Sequence, residues 1–261
     1  MYEKRRNPKV SAPVEEVEGQ LEGRNALTEA LRSGRTIDKV FIASGETDRA
    51  LQRLAAQAKE AGAVVVPVDR RKLDAMSTTH AHQGVITLAA AHEYSTIDDI
   101  LEEAAQRGEN ALIVICDELT DPHNLGAIMR SAECASAHGV IIPKRRSVGL
   151  TATVAKASAG AVEYMKVARV NNINNAIAEL KEKGVWIFGT AAEGSIPMYK
   201  ADLTGPAAIV IGNEGDGMSP LVRKNCDVTV HIPMRGRISS LNASAAASIL
   251  LYEAVRQRLN G

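Results

Sequence analysis

The chain has few aromatic residues and few cysteines, and both shortages narrow what it can be. Aromatic residues make up only 3% of its 261 residues, so a folded core has to be built from Ala, Val, Ile and Leu. The cysteines are widely spaced and include no C-x-x-C pair, which excludes a disulfide-rich scaffold and favours buried, reduced thiols. They are Cys116, Cys134 and Cys226.

Net charge and long apolar runs are lacking as well. The 31 basic residues balance 31 acidic ones, which excludes a strongly basic protein but not a local basic patch that holds RNA. No apolar run approaches the roughly 20 residues that span a bilayer, and the charged N-terminus has no signal-peptide core. These features predict a cytoplasmic protein without a membrane partner. The clearest basic patch, which is more typical of a solvated tail, is Lys4, Arg5, Arg6 and Lys9.

Several common site motifs are also missing. The sequence has neither the dinucleotide fingerprint G-x-G-x-x-G nor the Walker motif G-x-x-x-x-G-K-[ST]. It has no G-x-S-x-G nucleophile elbow either. The close histidine pair, His80 and His82, has no acidic or cysteine companions, so no metal site is expected.

Hydrophobic periodicity divides the chain into four parts. Residues 1–19 are interpreted as a flexible basic tail, 20–91 as a small α/β unit, 92–107 as a linker with a helix and 108–261 as a larger α/β unit. In the larger unit, alternating strands and helices predict a mainly parallel sheet covered on both faces. Its predicted strands are 111–116, 139–142, 164–167, 185–190, 207–211 and 228–232, and its predicted helices are 125–137, 151–157, 172–183, 220–225 and 241–259.

The second half of the chain does contain three polar segments that bear glycine. They are residues 124–130 (NLGAIMR), 211–217 (IGNEGDG) and 232–244 (IPMRGRISSLNAS). The second and third follow predicted strands, and ligands of open α/β sheets bind outside the carboxyl ends of strands. The three segments are therefore expected to converge on one site.

The first segment predicts the beginning of a helix. Asp121 is a good N-cap, and Pro122 fits the first helical position. Gly126 costs about 1 kcal/mol relative to alanine there, which indicates that something approaches the backbone closely. Arg130 lies on the same helical face and either holds a phosphate or sugar oxygen or pairs with Glu133.

The other two segments each admit a structural and a ligand-binding interpretation. Asn213 and Glu214 lie among three glycines, which suits either close ligand approach or a tight turn from strand to helix. Ser239 or Ser240 is expected to cap the following helix, and this role leaves contact with a ligand open.

In their order along the chain, the motifs N-x-G-x-x-x-R, I-G-N-E-G-x-G and I-P-M-x-G-x-x-x-S-L-N-x-S resemble those of the SpoU (TrmH) branch of the SPOUT RNA methyltransferases. This resemblance extends over about residues 111–259. The first unit resembles the ribosomal-protein-like RNA-binding module of the RlmB-like rRNA guanosine-2′-O-methyltransferases. That second resemblance depends on residues 22–26 (EGRNA) and 82–85 (HQGV).

The resemblance implies an α/β SPOUT domain with a C-terminal trefoil knot, a homodimer and S-adenosylmethionine as the cofactor, with no metal. The residues that it assigns to the cofactor site are Thr190, Gly212, Asn213, Ile232, Met234 and Leu241. The residues that it assigns to the catalytic side are Asn124, Arg130, Glu214 and Ser240.

The resemblance further implies methyl transfer to a ribose 2′-hydroxyl, with a guanosine of large-subunit rRNA as the leading substrate. A guanidinium is essentially never deprotonated in proteins, so Arg130 is expected to stabilise the developing alkoxide and the adjacent phosphate. Asn124 and Ser240 would orient the ribose. The alternatives are a tRNA ribose methyltransferase, an rRNA methyltransferase that protects against an antibiotic, and a non-catalytic RNA-binding assembly factor.

Overall fold

The computed structural model describes residues 19–45, 47–191, 195–213 and 215–260. The chain divides into two compact units between Ala89 and Ala90. The basic tail predicted for residues 1–19 lies, except for its last residue, outside the described residues.

The first unit contains a four-stranded mixed sheet with three helices. The sheet has the order β1-β4-β2-β3, in which β2 and β3 are parallel and β4 is antiparallel to both of its neighbours. The sequence did not predict β1, because a three-residue strand has no measurable periodicity and depends on its pairing with β4. The elements are β1 (Gln20–Glu22), α1 (Arg24–Arg32), β2 (Ile37–Ala43), α2 (Arg49–Glu60), β3 (Val64–Val68), α3 (Arg70–Met76) and β4 (Val85–Ala89).

A carboxylate fixes the loop that follows α3. Glu22 accepts hydrogen bonds from the Ser77 hydroxyl at 2.6 Å, from the Thr78 amide at 2.7 Å and from the Thr79 hydroxyl. Burial by itself raises the pKa of Glu22, but these hydrogen bonds and one from Gln20 outweigh it and hold the pKa well below its usual range. The loop is therefore tied to β1 by a charged group.

The second unit is a seven-stranded sheet whose paired strands are all parallel, as the sequence predicted. Its order is β7-β6-β5-β10-β8-β11-β9. Every residue of the central strands β5 and β10 is buried, because helices cover both faces of the sheet. The elements are α4 (Ile97–Arg107), β5 (Leu112–Cys116), α5 (Pro122–Cys134), β6 (Gly139–Pro143), α6 (Ala152–Ala157), β7 (Val167–Val170), α7 (Ile173–Glu182), β8 (Trp186–Thr190), β9 (Ile196–Pro197), β10 (Ala207–Ile211), α8 (Pro220–Asn225), β11 (Val228–His231) and α9 (Ala243–Asn260).

The strand predicted at residues 164–167 is wrong in position. The strand is β7, and its register begins where Val167 pairs with Val140 of β6. The residues before it form a single 3-10 turn, Ala161–Glu163, and the side chain of Tyr164 is exposed. Because Ala161 and Val162 bury their side chains within that turn, the apolar run extends beyond the strand and misplaces its start.

One of the three cysteines is not buried. Cys116 is buried, and burial, aided by the charge of Asp117, raises the pKa of its thiol to about 12. Burial likewise raises the pKa of the partly buried Cys226 to about 11. Cys134 is exposed at the end of α5, so the prediction of a buried thiol is wrong there. Ala132 and Ala135 are buried in the core, whereas Cys134 lies on the exposed face of the helix.

Within the described ranges, no helix is long and apolar enough to cross a membrane. The same residues contain no group of three or more His, Cys, Asp or Glu side chains that could hold a metal ion. The trefoil knot stays a prediction.

Candidate active site

Two adjoining cavities lie where β8, β10 and β11 end at the carboxyl edge of the larger sheet. The first has a volume of about 430 Å³, and most of its surface is apolar. Its wall includes Ile232, Leu241 and Leu250, and exposed serine hydroxyls lie beside them. The full lining is Thr190, Ala191, Val230, His231, Ile232, Met234, Ser239, Ser240, Leu241, Ala246 and Leu250.

The second cavity, of about 460 Å³, lies on the β10 side. It adds residues 211–213 and 215–218 to a wall that it shares with the first cavity. The shared residues are Thr190, Ala191, Ser239, Ser240, Leu241 and Ala246. The structure thus brings together all six residues expected at the cofactor site, and Ser240 with them.

The segment after β10 is a closed turn. The amide of Asn213 donates to the Gly217 carbonyl at 3.1 Å, and the amide of Gly217 donates back at 3.2 Å. The Asn213 side-chain oxygen accepts from the amides of Gly215 and Asp216 at 2.9 and 2.7 Å. A Cβ on Gly212 would lie 2.2 Å from the Gly217 carbonyl carbon, so only glycine fits. Asn213 therefore shapes the turn that forms the cavity wall.

Glu214 lies outside the described residues, so its expected catalytic role stays a prediction. Asp117, which is in none of the three polar segments, fixes the other side of the same region. It is buried directly after β5, and its carboxylate accepts a hydrogen bond from the Ser219 amide at 2.7 Å. The signal in the sequence was that Asp117 is a single acidic residue directly after a five-residue apolar strand.

Helix α6, rather than a ligand, occupies the space beside Gly126. A Cβ at Gly126 would lie 2.5 Å from the Cβ of Ala157 and 2.8 Å from the carbonyl oxygen of Val154. The expected close approach to this backbone is real, but its cause is the packing of two helices. The glycine at position 126 is therefore explained by this helix contact and is no evidence for a ligand beside Arg130.

Asn242 joins the first segment to the third. Its amide nitrogen donates to the side-chain oxygen of Asn124 at 2.9 Å, and Asn124 is only 5% exposed. The Asn242 oxygen accepts from the amides of Ser244 and Ala245 at 2.9 and 3.3 Å, which caps α9. Asparagine is a preferred N-cap, so Asn242 was a candidate for this role in the sequence alongside Ser239 and Ser240.

The two serines expected to cap α9 do not do so. Ser239 and Ser240 are exposed, and they lie two or more residues before Asn242, which is the cap. Both serines instead line the two cavities. Their hydroxyls are consequently left for a ligand, which is the interpretation that the sequence left open.

Arg130 stands apart from the cavities. It is exposed on α5, six residues and about 9 Å along the helix axis beyond Asn124. Its guanidinium forms no ion pair or hydrogen bond with any residue that the structure describes, so the pair with Glu133 is not formed. Arg130 is also not among the residues that line either cavity.

Comparison with known protein families shows which class of protein has this sequence and site. A model of the SpoU rRNA Methylase family matches residues 111–252, which is more than half of the chain. A model described as RNA 2′-O ribose methyltransferase substrate binding matches residues 20–95. The protein is thus an RNA ribose methyltransferase. Within that class, the chain belongs to the SpoU (TrmH) family.

Individual proteins agree with this assignment. YacO of Bacillus subtilis, named as a TrmH family tRNA/rRNA methyltransferase, is 46% identical over 236 residues, which cover 90% of this chain and 94% of YacO. The SpoU methyltransferase AviRb of Streptomyces viridochromogenes, crystallised with S-adenosylmethionine, has a TM-score of 0.60 at 27% identity and covers 93% of this chain and 91% of its own. An rRNA methyltransferase from Sinorhizobium meliloti, also with bound S-adenosylmethionine, has a TM-score of 0.57 at 25% identity over 91% of this chain and 86% of its own.

The cavities fit S-adenosylmethionine, the cofactor of this family. Their volumes of about 430 and 460 Å³ lie in the range typical of small-molecule sites. The apolar wall suits an adenine ring. Among the described residues, none hydrogen-bonds to the peptide groups of residues 233–241, so these groups are available to the polar parts of the cofactor.

Proposed function

We propose that this RNA methyltransferase modifies the ribose 2′-hydroxyl of a guanosine in large-subunit rRNA. The observation that carries the proposal is the shared wall of the two cavities. There, Ser239 and Ser240 border the cofactor site, and Asn242 links that site to the buried Asn124. This arrangement can hold a methyl donor on one side and a polar nucleophile on the other.

The choice of rRNA is supported by the extent of the likeness. The Sinorhizobium protein is named an rRNA methyltransferase, and its likeness extends over 91% of this chain, which includes most of the first unit. RNA is recognised largely by shape and by single-stranded loops, so a second unit is useful for a large folded substrate. We assign the first unit to that role.

A tRNA substrate is the second candidate, because YacO is named for both tRNA and rRNA. One experiment distinguishes these substrates: ribose methylation is mapped on rRNA and tRNA from cells with and without the gene for this chain. The same map would show an rRNA methylation of the kind that confers antibiotic resistance. A 2′-O-methylguanosine that disappears only from large-subunit rRNA supports the proposal, and one that disappears only from tRNA replaces it.

The residues of the site divide the work between orientation and charge stabilisation. When bound, S-adenosylmethionine supplies the methyl group as a sulfonium, so the enzyme mainly has to place an oxygen nucleophile on the methyl axis. Such positioning contributes about 7–11 kcal/mol of barrier reduction. We assign it to Asn124 and Ser240, which would hold the ribose, and we assign Glu214 to the same polar side.

Arg130 would stabilise the alkoxide that develops on the ribose and the phosphate next to it. Because Arg130 lies outside the cavities of its own chain, we propose that a homodimer completes the site. Helix α9 supports this proposal, since Ile249 and Tyr252 expose apolar surface there that a second copy could cover. Sedimentation equilibrium tests the dimer, and a monomer at micromolar concentration would contradict it.

A non-catalytic assembly factor with the same fold predicts a different result. Calorimetry on the purified protein measures uptake of S-adenosylmethionine and of its demethylated product. Uptake followed by methyl transfer to rRNA supports an enzyme. If neither compound binds, the proposal of a methyltransferase site in these cavities is wrong.

A further inference from the structure

The loop between β6 and α6 carries three consecutive cations at the carboxyl edge of the larger sheet. Lys144, Arg145 and Arg146 follow Pro143, the last residue of β6. Arg145 and Arg146 are exposed. The side chains of Lys144 and Arg145 form no ion pair or hydrogen bond with the part of the chain that the structure describes. This edge therefore presents two unneutralised positive charges.

Hydrogen bonds fix the loop at both ends. The Lys144 amide donates to the Val170 carbonyl at 2.8 Å, at the end of β7. The Val148 amide and the Ser147 hydroxyl both donate to the Leu119 carbonyl at 2.9 Å, and Ser147 is buried. The positions of the two cations are therefore set by the sheet and by the segment that precedes α5.

An exposed ion pair joins the loop to the turn after β5. The Arg146 guanidinium lies 2.9 Å from the Glu118 carboxylate. Both residues have left-handed backbone conformations, with φ of 55° for Arg146 and 57° for Glu118, which residues other than glycine rarely adopt. Such conformations persist only where the surroundings hold them, and they concentrate at functional sites. The turns at Arg146 and Glu118 thus both have unfavourable backbone conformations, and the ion pair connects them.

The segment to which the loop is tied leads directly into the active site. Leu119, which accepts the two hydrogen bonds from the loop, lies two residues before Asp121, the N-cap of α5. Helix α5 carries Asn124, and Asn242 connects Asn124 to the cavity wall. The cations are therefore held at a fixed distance from the residues assigned to the ribose.

We propose that Lys144 and Arg145 bind a backbone phosphate of the RNA substrate close to the methylated nucleotide. The Arg146–Glu118 pair holds the loop in the geometry that this contact requires. Phosphate contacts from Lys and Arg set the register of a nucleic acid without reading its bases. The contact would therefore add to the affinity for the RNA and set its register at this edge of the sheet. This inference rests on the proposed function, because it needs an RNA substrate at this edge.

The test compares Lys144→Ala, Arg145→Ala and the double variant with Lys224→Ala in the full-length protein. Lys224 is a matched control, because it is an exposed cation near the C-terminal end of α8, which leads to the amino end of β11. The KM for the RNA and the kcat are measured at several salt concentrations. Affinity for S-adenosylmethionine is measured by calorimetry.

Each substitution in the loop is expected to raise the KM for RNA about fivefold, which corresponds to about 1 kcal/mol for an exposed ion pair. Each lost phosphate contact should also lower the slope of log affinity against log salt by about 0.7 to 1. The kcat at saturating RNA, the affinity for S-adenosylmethionine and the Lys224→Ala variant should match the wild type.

Three other outcomes overturn different claims. If the wild type methylates RNA while the double variant keeps its KM and salt slope, the loop does not contact the phosphate and the proposed function stands. If the double variant loses affinity for S-adenosylmethionine as strongly as for RNA, the loop has a structural role instead. If the wild type binds the cofactor but methylates no RNA, the proposed function itself is wrong.

Discussion

The side-chain amide of Asn242 joins the beginning of α9 to Asn124 on α5, although neither asparagine lines the two cavities. Its oxygen caps α9, and its nitrogen reaches the side chain of Asn124. The residue therefore contributes to stability and to the geometry of the site at the same time. The two contributions can be separated, because the chain contains a second asparagine cap away from the cavities.

We expect Asn172→Ala to destabilise the protein by about 1 kcal/mol, since it removes an N-cap, and Asn242→Ala to destabilise it by more, since it also removes the hydrogen bond to the buried Asn124. Asn172 caps α7 with hydrogen bonds of 2.8 and 3.3 Å, close to those of Asn242. Only Asn242→Ala should lower kcat, because only it releases Asn124. Chemical denaturation and single-turnover methylation measure the two effects. Equal kcat values for the two variants would show that the link to Asn124 has no part in catalysis.

Arg130 tests whether the site needs a planar guanidinium. Arg130→Lys keeps the charge but loses the fork that can bind two oxygens. If Arg130 stabilises the alkoxide and the phosphate together, kcat should fall by about 100-fold, the lower range for the loss of one oxyanion donor. Affinity for S-adenosylmethionine should not change. Near-normal turnover would show that a point charge suffices.

At the scale of elements, Glu22 ties β1 to the loop after α3 and makes the first unit sensitive to acid. The pKa of Glu22 in the folded protein is depressed, because hydrogen bonds from Ser77, Thr78 and Thr79 outweigh burial. A group with a depressed pKa contributes stability that is full above its unfolded pKa of about 4.3 and is lost as the pH falls below that value.

We therefore expect Glu22→Gln to destabilise the first unit by about 2 kcal/mol at pH 7, the scale of a hydrogen bond to a charged group. The difference between variant and wild type should shrink as the pH falls from about 5 to 3. Glu29→Gln is the control, because Glu29 lies in an exposed pair with Arg32. Urea unfolding at several pH values measures both. A difference that does not depend on pH would contradict the assignment.

At the scale of the whole molecule, the second unit can be tested as a separate fragment. The chain enters the second unit along residues 91–95, where the Ala91 amide donates to the Leu150 carbonyl and the Ser95 amide to the Val167 carbonyl, at 2.9 and 2.8 Å. The Tyr94 hydroxyl also accepts a hydrogen bond from the Leu150 amide. A fragment that begins at Ala90 keeps these contacts, whereas one that begins at residue 96 loses them.

We expect the fragment 90–261 to bind S-adenosylmethionine like the full chain and to lose methylation of natural RNA. Saturation with cofactor at 100 times its Kd should stabilise the fragment by about 2.7 kcal/mol. Calorimetry and a methylation assay on rRNA measure these outcomes. Full activity of the fragment on natural RNA would refute the assignment of the first unit to substrate binding. The fragment 96–261 should bind the cofactor but unfold at a lower temperature.

The sequence by itself determined the parallel α/β architecture of the second unit and the segments that form its site. Alternating apolar runs are local signals, and a parallel sheet places the ends of its strands at one edge. Thr190, Gly212 and Ile232 lie at or just after the ends of three of these strands, and the family resemblance assigned them to one site. N-cap chemistry depends on adjacent residues only, so Asp121 and Pro122 indicated where α5 begins, whereas the apolar pattern placed this helix three residues too late, at 125–137.

Only the tertiary structure decided what each polar or small residue contacts. Gly126 packs against α6, Asn242 caps α9 in place of Ser239 or Ser240, and β7 begins at Val167. Each of these outcomes depends on a partner that is distant in the chain or on competition between neighbouring caps. Local propensity cannot rank such alternatives, because the packing energy that selects one of them arises only when the elements meet.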